Sequence, residues 1–304
     1  MTDYAHLAPA YRGQAALTDA ERIARIRADR WLDLDQARAA LGRIEDLLTY
    51  PPRDRMPCLL LYGDTGMGKT KIIRKFLRDH PACFDQGTGV TTMPVVAMQM
   101  PAEPVERDIY SELLAALGAP GPADGTTHRQ KEICRRLRSM GARMLIIDEI
   151  HAMLAGSFRQ QRIFLNAIRF LANDLRIPLV CAGTDLARQA LLTDAQLAER
   201  FEAFQLQRWK NDARLAQLLA SLATILPLRR PSTLATTAIR KRLLDLTDGV
   251  TVRIFRLIET VAVEAIHSGA ECITLDSFQT EDLVLPLVAM THKVEARLQP
   301  RAGR

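Results

Sequence analysis

"LLLYGDTGMGKT", residues 59–70, is an apolar run that breaks into three glycines, a lysine and a threonine. The run has the length and bulk of a buried strand. "TKIIRKFL" after it has helical spacing, with Ile72, Ile73, Phe76 and Leu77 on one face and Lys71, Arg74, Lys75 and Arg78 on the other. The loop between them fits G-x-x-x-x-G-K-[ST] at Gly63, Gly68, Lys69 and Thr70. Glycines let backbone N–H groups turn inward around phosphate oxygens, and the helix N-terminus adds partial positive charge. The loop Gly63, Asp64, Thr65, Gly66, Met67 and Gly68 is therefore expected to cradle a nucleotide. Lys69 would reach the β- and γ-phosphates, and Thr70 would supply a hydroxyl to Mg²⁺.

Working outward, "CLLLY" (58–62), "PVVAM" (94–98), "MLIID" (144–148) and "PLVCAG" (178–183) are short continuous apolar runs separated by amphipathic segments. That alternation predicts an α/β fold with a mostly parallel sheet covered by helices on both faces. "RMLIIDEIH" (143–151) delivers Asp148 and Glu149 at the end of one such strand, where ligands bind in open α/β sheets. Asp148 is expected beside the Mg²⁺, and Glu149 beside an attacking water. The pairing of this stretch with the glycine loop favours nucleotide hydrolysis over binding alone.

Three further positions are candidates. Thr184, in "CAGTD", can sense a γ-phosphate or cap the helix that follows, and the sequence leaves both open. Arg200, in "LAERFEAF", precedes a β-like stretch and is a candidate arginine finger for a neighbouring subunit's nucleotide, the alternative being a solvated surface arginine. Arg253, in "DGVTVRIFRLIE", opens a helix after a glycine, where it can contact phosphate or form an interhelical salt bridge.

Outside the sheet region the chain reads as helices. Residues 19–48 have helical spacing, and "YPPRDRMP" (50–57) breaks it, so 1–55 is expected to be a helical arm and 56–226 the α/β domain. After residue 209 the chain reads as helices over 212–225, 233–247, 252–267 and a shorter one from about Ser277, and residues 227–304 are expected to be a helical lid and tail. No apolar run approaches the roughly 18 residues that span a bilayer, and the N-terminus lacks a secretory apolar core, so a cytoplasmic protein is expected. Five scattered cysteines without a C-x-x-C pair argue against a disulfide framework or a zinc site. A net charge of +6, from 41 basic and 35 acidic residues, permits a polyanion partner without requiring one.

Taken together, the glycine loop, the Asp148–Glu149 strand, Thr184, Arg200 and a helical lid carrying Arg253 resemble the AAA+ ATPases over residues 56 to about 285. More narrowly, "RMPCLLLYGDTGMGKTKIIRKF", "LIIDEIH", "ERF" and the upstream "DRWLDLDQARAALGRIEDLL" resemble the TniB and TnsC group of transposition ATPases, and TniB most. Two positions depart from the common AAA+ pattern: Thr184 replaces a frequent asparagine, and Arg253 follows Gly249 by four residues instead of three.

The resemblance implies an ATP-dependent regulator that oligomerises on target duplex DNA as a ring or filament. It further implies recruitment or activation of a DDE transposase of the TniA kind, with a TniQ-like protein as a further partner. Arg107, Arg159 and Arg162 are candidate backbone contacts for DNA, and such contacts are largely sequence-independent. The basic stretch "HRQKEICRRLRSMGAR" (128–143) reads more simply as a solvated helix face. The competing function is a nucleotide-gated adaptor that works on protein partners without DNA.

Overall fold

The structure is a computed structural model and describes residues 4–103, 105–119 and 126–279. The chain opens with α1 (Pro9–Arg12) and α2 (Asp19–Arg27), and α3 (Asp35–Leu48) follows. The sequence expectation of one helical stretch from 19 to 48 is thus replaced by two helices. Thr18 and Glu21 form a capping box that starts α2, and the Arg30 guanidinium, donating to the Ile26 carbonyl at 3.2 Å, closes its last turn. The break at 28–34 contains neither proline nor glycine, so punctuation gave no sign of it.

Two compact units result, one built from residues up to Leu32 together with those from Arg208 onward, the other from Asp33–Gln207. These limits differ from the expected 55/56 and 226/227. α3 belongs with the sheet because its Gln36 side chain pairs reciprocally with the Gln207 backbone, donating to the carbonyl at 3.1 Å and accepting from the N–H at 2.7 Å.

In the unit 33–207, β1 (Cys58–Tyr62), α4 (Lys69–Asp79), β2 (Cys83–Asp85), β3 (Val90–Thr92) and β4 (Val95–Gln99) come first. After α5 (Glu106–Ala116) and α6 (Thr126–Ser139) come β5 (Met144–Asp148), α7 (Phe158–Leu175), β6 (Leu179–Gly183), α8 (Asp185–Leu192), α9 (Ala195–Ala198) and β7 (Phe201–Gln205). Five strands form one sheet in the order β4-β5-β6-β1-β7, every neighbouring pair parallel. β5 and β6 are buried throughout, as continuous apolar strands covered on both faces must be. β7 is a half-exposed edge strand, and β2 pairs with β3 in a separate exposed hairpin absent from the sequence expectation.

Parallel pairing has one consequence for the site. The register sets Tyr62 opposite Gly183 and Gln99 opposite Asp148, so the C-terminal ends of β1, β4, β5 and β6 share one edge. The residues that follow those strands are the glycine loop, Met100, Glu149 and Thr184.

The other unit is helical, with α10 (Ala213–Ile225), α11 (Thr237–Thr247) and α12 (Thr251–His267). α2 packs on α12, and α11 packs beside it. The Trp209 N–H donates to the Gly249 carbonyl at 2.9 Å, and its indole N–H donates to the Thr251 hydroxyl at 3.1 Å. Gly249 has φ +68°, and a Cβ there would lie 2.3 Å from the Trp209 carbonyl oxygen, so only glycine fits this turn into α12. The expected short helix from Ser277 lies largely outside the described residues; within them, residues Asp276–Phe278 form a 3-10 turn. None of the described helices is long and apolar enough to cross a membrane, and the five cysteines are free thiols.

Candidate functional site

The glycine loop runs from the end of β1 into α4, and its shape follows from where side chains cannot go. A Cβ on Gly63 would lie 2.7 Å from the Leu206 carbonyl oxygen, while the Gly63 N–H donates to the Gly183 carbonyl at 3.3 Å. Gly66 and Gly68 have φ of +84° and +99°, which L side chains rarely adopt. Gly68 is the N-cap of α4 and makes no side-chain cap, so the helix begins with N–H groups directed at the loop. Met67 is buried and anchors the loop, and Asp64 and Thr65 are exposed.

Lys69 is only 5% exposed, and its amine donates to the carbonyls of Gly63 at 2.8 Å and Asp64 at 3.0 Å. Burial pushes the amine below its ordinary value, against the pull of the Glu149, Asp148 and Asp64 carboxylates. The Thr70 hydroxyl donates to Asp148 Oδ2 at 2.7 Å, across 78 residues of sequence. Asp148 Oδ1 accepts the Glu149 N–H at 2.8 Å, and the Asp148 carbonyl accepts from the Met100 N–H at 2.8 Å. One carboxylate therefore fixes the hydroxyl from the loop side and the turn that carries Glu149. Glu149 itself sits in the left-handed region at φ +55° and ψ +34°, a cost that folds accept chiefly at functional turns.

The Thr70 hydroxyl and the Asp148 carboxylate form a pair of hard oxygen donors at the mouth of a phosphate cradle. Such a set, a hydroxyl and a carboxylate held together at 2.7 Å, fits Mg²⁺.

Thr184 occupies the N-cap position of α8, yet its hydroxyl makes no cap, and Oγ1 is buried without a partner. The capping alternative is therefore not realised, and the orphaned hydroxyl stands beside the Gly183 carbonyl that holds Gly63. His151, which the sequence reading quoted without assigning a role, adjoins the same place: its Nε2 lies 3.4 Å from Glu149 Oε2. The signal was present in "DEIH", because a histidine two residues after a candidate base falls within one turn of it.

Arg200 is placed differently from a displayed finger. It is half-buried at the start of β7, its carbonyl accepts from the Cys58 N–H at 2.8 Å, and its Nη1 is enclosed without a partner. Its charge offsets a little of the burial that pushes the Cys58 thiol up to about 11. Arg253 belongs to the helical unit and pairs with Asp248 at 2.8 Å, the salt bridge between α11 and α12 that was its alternative reading.

Arg107 on α5 and Arg159 and Arg162 on α7 are exposed and make no ion pair among the described residues. Arg162 lies over the ring of Phe158, which is 68% exposed. The basic stretch of α6 is, by contrast, compensated. Arg135 and Arg136 share Glu132, whose carboxyl they hold at about 2, Arg138 pairs with Asp174, and Arg129 is buried on Ser111.

Solved structures resemble this chain at low identity. The ORC2 protein of Aeropyrum pernix, solved as ADPNP-ADP complexes, is 15% identical with a TM-score of 0.56, covering 90% of this chain and 74% of its own. CDC6P from Pyrobaculum aerophilum is 18% identical at 0.56, over 84% and 68% of the two chains. Drosophila ORC, solved bound to DNA, is 12% identical at 0.56, over 96% and 72%. A comparison with curated proteins gave no match. The likeness establishes the fold as that of the AAA+ ATPases. Residues 22–211, more than half of the chain, match the family described as bacterial TniB protein, and this chain, an AAA+ ATPase, belongs to that family.

Proposed function

We propose that the protein is an ATP-driven switch in DNA transposition. In the ATP-bound state it oligomerises on target duplex DNA and recruits or activates a TniA-like DDE transposase, with a TniQ-like protein as further partner. Hydrolysis ends that state. The observation that carries the hydrolytic half is the Thr70 to Asp148 hydrogen bond at 2.7 Å, which joins loop and strand into one site beneath Lys69. The DNA half is supported by family membership and by the exposed Arg107, Arg159 and Arg162, which make no ion pair among the described residues. It is also supported by the fold shared with Drosophila ORC, which was solved on DNA.

At the site, the N–H groups at the start of α4 and the Lys69 amine hold the phosphates, trading the Gly63 and Asp64 carbonyls for anionic oxygens. Mg²⁺, held by Thr70 and Asp148, supplies neutralising charge at the phosphate oxygens when bound. Glu149 orients a water for in-line attack on the γ-phosphorus and accepts its proton as the bond to the β-γ bridging oxygen breaks. Thr184 reads the γ-phosphate with its orphaned hydroxyl. Arg200 reaches a neighbouring subunit's nucleotide by turning its guanidinium outward on assembly, and Arg253 contacts phosphate on exchanging Asp248.

Duplex DNA affinity measured against salt, with and without a non-hydrolysable ATP analogue, tests this reading. Binding should require the analogue and fall steeply, with a slope of log affinity on log salt of about −0.9 per phosphate neutralised. The Arg159→Glu/Arg162→Glu variant should flatten that slope by about two. Absence of nucleotide-dependent binding at low salt would point to an adaptor working on protein partners.

A further inference from the structure

We infer that His151 is a positioning residue for Glu149, and that it links Glu149 to Thr184. The inference rests on Glu149 being the group that orients the attacking water. Five side-chain atoms among the described residues are buried without a hydrogen-bond partner, and two of them, His151 Nδ1 and Thr184 Oγ1, flank the same glycine. A Cβ placed on Gly183 would lie 3.3 Å from His151 Nδ1 and 2.7 Å from the Ala187 Cβ, so the imidazole rests directly against the end of β6. Thr184 is the next residue. The other face of the ring is turned to the base, with Nε2 3.4 Å from Glu149 Oε2.

Hydrogen-bond chemistry orders these three groups. Nε2, which faces a carboxylate at 3.4 Å, is the nitrogen placed to carry the proton, and that leaves Nδ1 an acceptor in need of a donor. The Thr184 hydroxyl is a buried donor in need of an acceptor, and each orphan carries an uncompensated desolvation cost while unpaired. Pairing the Thr184 hydroxyl with Nδ1 satisfies both. The relay then runs from Thr184 Oγ1–H to His151 Nδ1, and from His151 Nε2–H to the Glu149 carboxylate. A γ-phosphate that takes the Thr184 hydroxyl releases one end of this chain. The ring then rests on Glu149 alone, and its Nε2 contact holds the carboxylate where it meets the attacking water. The histidine thereby tells the base whether the sensor is engaged, without touching the nucleotide.

The test is steady-state ATP hydrolysis and fluorescent-nucleotide binding for His151→Leu, His151→Gln, Thr184→Val, the Leu/Val double variant, and His151→Leu in the Glu149→Gln background. His151→Leu should lower kcat by about 10²-fold, the scale of a misplaced reacting group, with nucleotide affinity and KM little changed. His151→Gln, whose amide supplies both a donor and an acceptor, should recover most of the loss. The double variant should lose less than the product of the single losses, since both act on one relay. In the Glu149→Gln background His151→Leu should cost nothing further.

Wild-type turnover in His151→Leu beside an inactive Glu149→Gln overturns the relay alone. An equal loss in both backgrounds, or a Gln variant as slow as the Leu variant, also overturns it and leaves a structural role. Wild-type turnover in Glu149→Gln overturns the reading of Glu149, and the relay falls with it.

Discussion

Replacing Glu149 with glutamine should slow ATP hydrolysis by about 10²- to 10⁴-fold, the contribution typical of a positioned general base, while ATP stays bound. Glutamine keeps the length of the side chain and can orient a water, but it cannot accept the water's proton. The variant leaves the hydrogen bonds around Asp148 and the setting of Lys69 in place. The Glu149 N–H still donates to Asp148, Thr70 still donates to the same carboxylate, and Lys69 remains enclosed. Phosphate release in a single turnover reads the chemical step, and light scattering with duplex DNA reads the assembly. The expected result is slow release with a long-lived ATP-bound assembly. A variant that binds ATP and fails to assemble would count against hydrolysis as the step that ends the bound state.

The second large effect concerns stability. Arg22 is fully buried, and its guanidinium donates to both carboxylate oxygens of Glu271, at 2.7 and 2.6 Å, and to the Pro227 carbonyl at 3.1 Å. The Arg229 N–H and guanidinium complete the shell around Glu271, and Asp19 caps the outer side of Arg22. This network ties α2 to the segments that flank the C-terminal helices. Arg22→Ala strips a buried carboxylate of its main counter-charge and should destabilise that unit by about 3–5 kcal/mol in chemical denaturation. Arg22→Met/Glu271→Met removes both charges together and should lose clearly less than the sum of the single variants.

Acid should act on the same network. Burial works to raise the Glu271 carboxyl, but the hydrogen bonds from Arg22 and Arg229 outweigh it and leave the group below its ordinary 4.5. The Arg22 hydrogen bond likewise holds Asp19 below 3.8. Both groups have folded-state values depressed relative to the unfolded chain. Their contribution is thus complete above the ordinary carboxylate range and fades as pH falls through the lower folded values.

What the sequence made legible follows from how strongly each feature is over-determined. β1, β4, β5 and β6 were readable because strands buried on both faces must be continuously apolar, and "CLLLY", "VVAM", "MLIID" and "LVCAG" are. The meeting of the glycine loop with the end of β5 at Thr70 and Asp148 was readable because loop and acidic strand end each constrain several residues at fixed spacing. The break at 28–34 was not readable, since helical periodicity persists on both sides and the signal that closes α2 is a guanidinium reaching back to carbonyls. The β2–β3 hairpin left no pattern because its strands of three residues are largely exposed.

Arg200 and Arg253 show a different limit. A charged side chain's position in sequence restricts its reach but not its partner, and here one is enclosed beside Cys58 and the other is paired with Asp248. His151 was overlooked for the opposite reason. Its meaning comes from the unpaired atoms around Gly183, which only three dimensions bring together.

The central claim is that nucleotide governs assembly on DNA, and electron microscopy of the full chain with duplex DNA tests it most directly. With a non-hydrolysable ATP analogue the protein should form regular rings or filaments on the duplex, and without nucleotide it should leave the DNA bare. Lys69→Ala, which removes the buried amine from the phosphate cradle, should leave it bare under both conditions. Equal decoration of the DNA with and without nucleotide, or by the Lys69→Ala variant, would contradict the account.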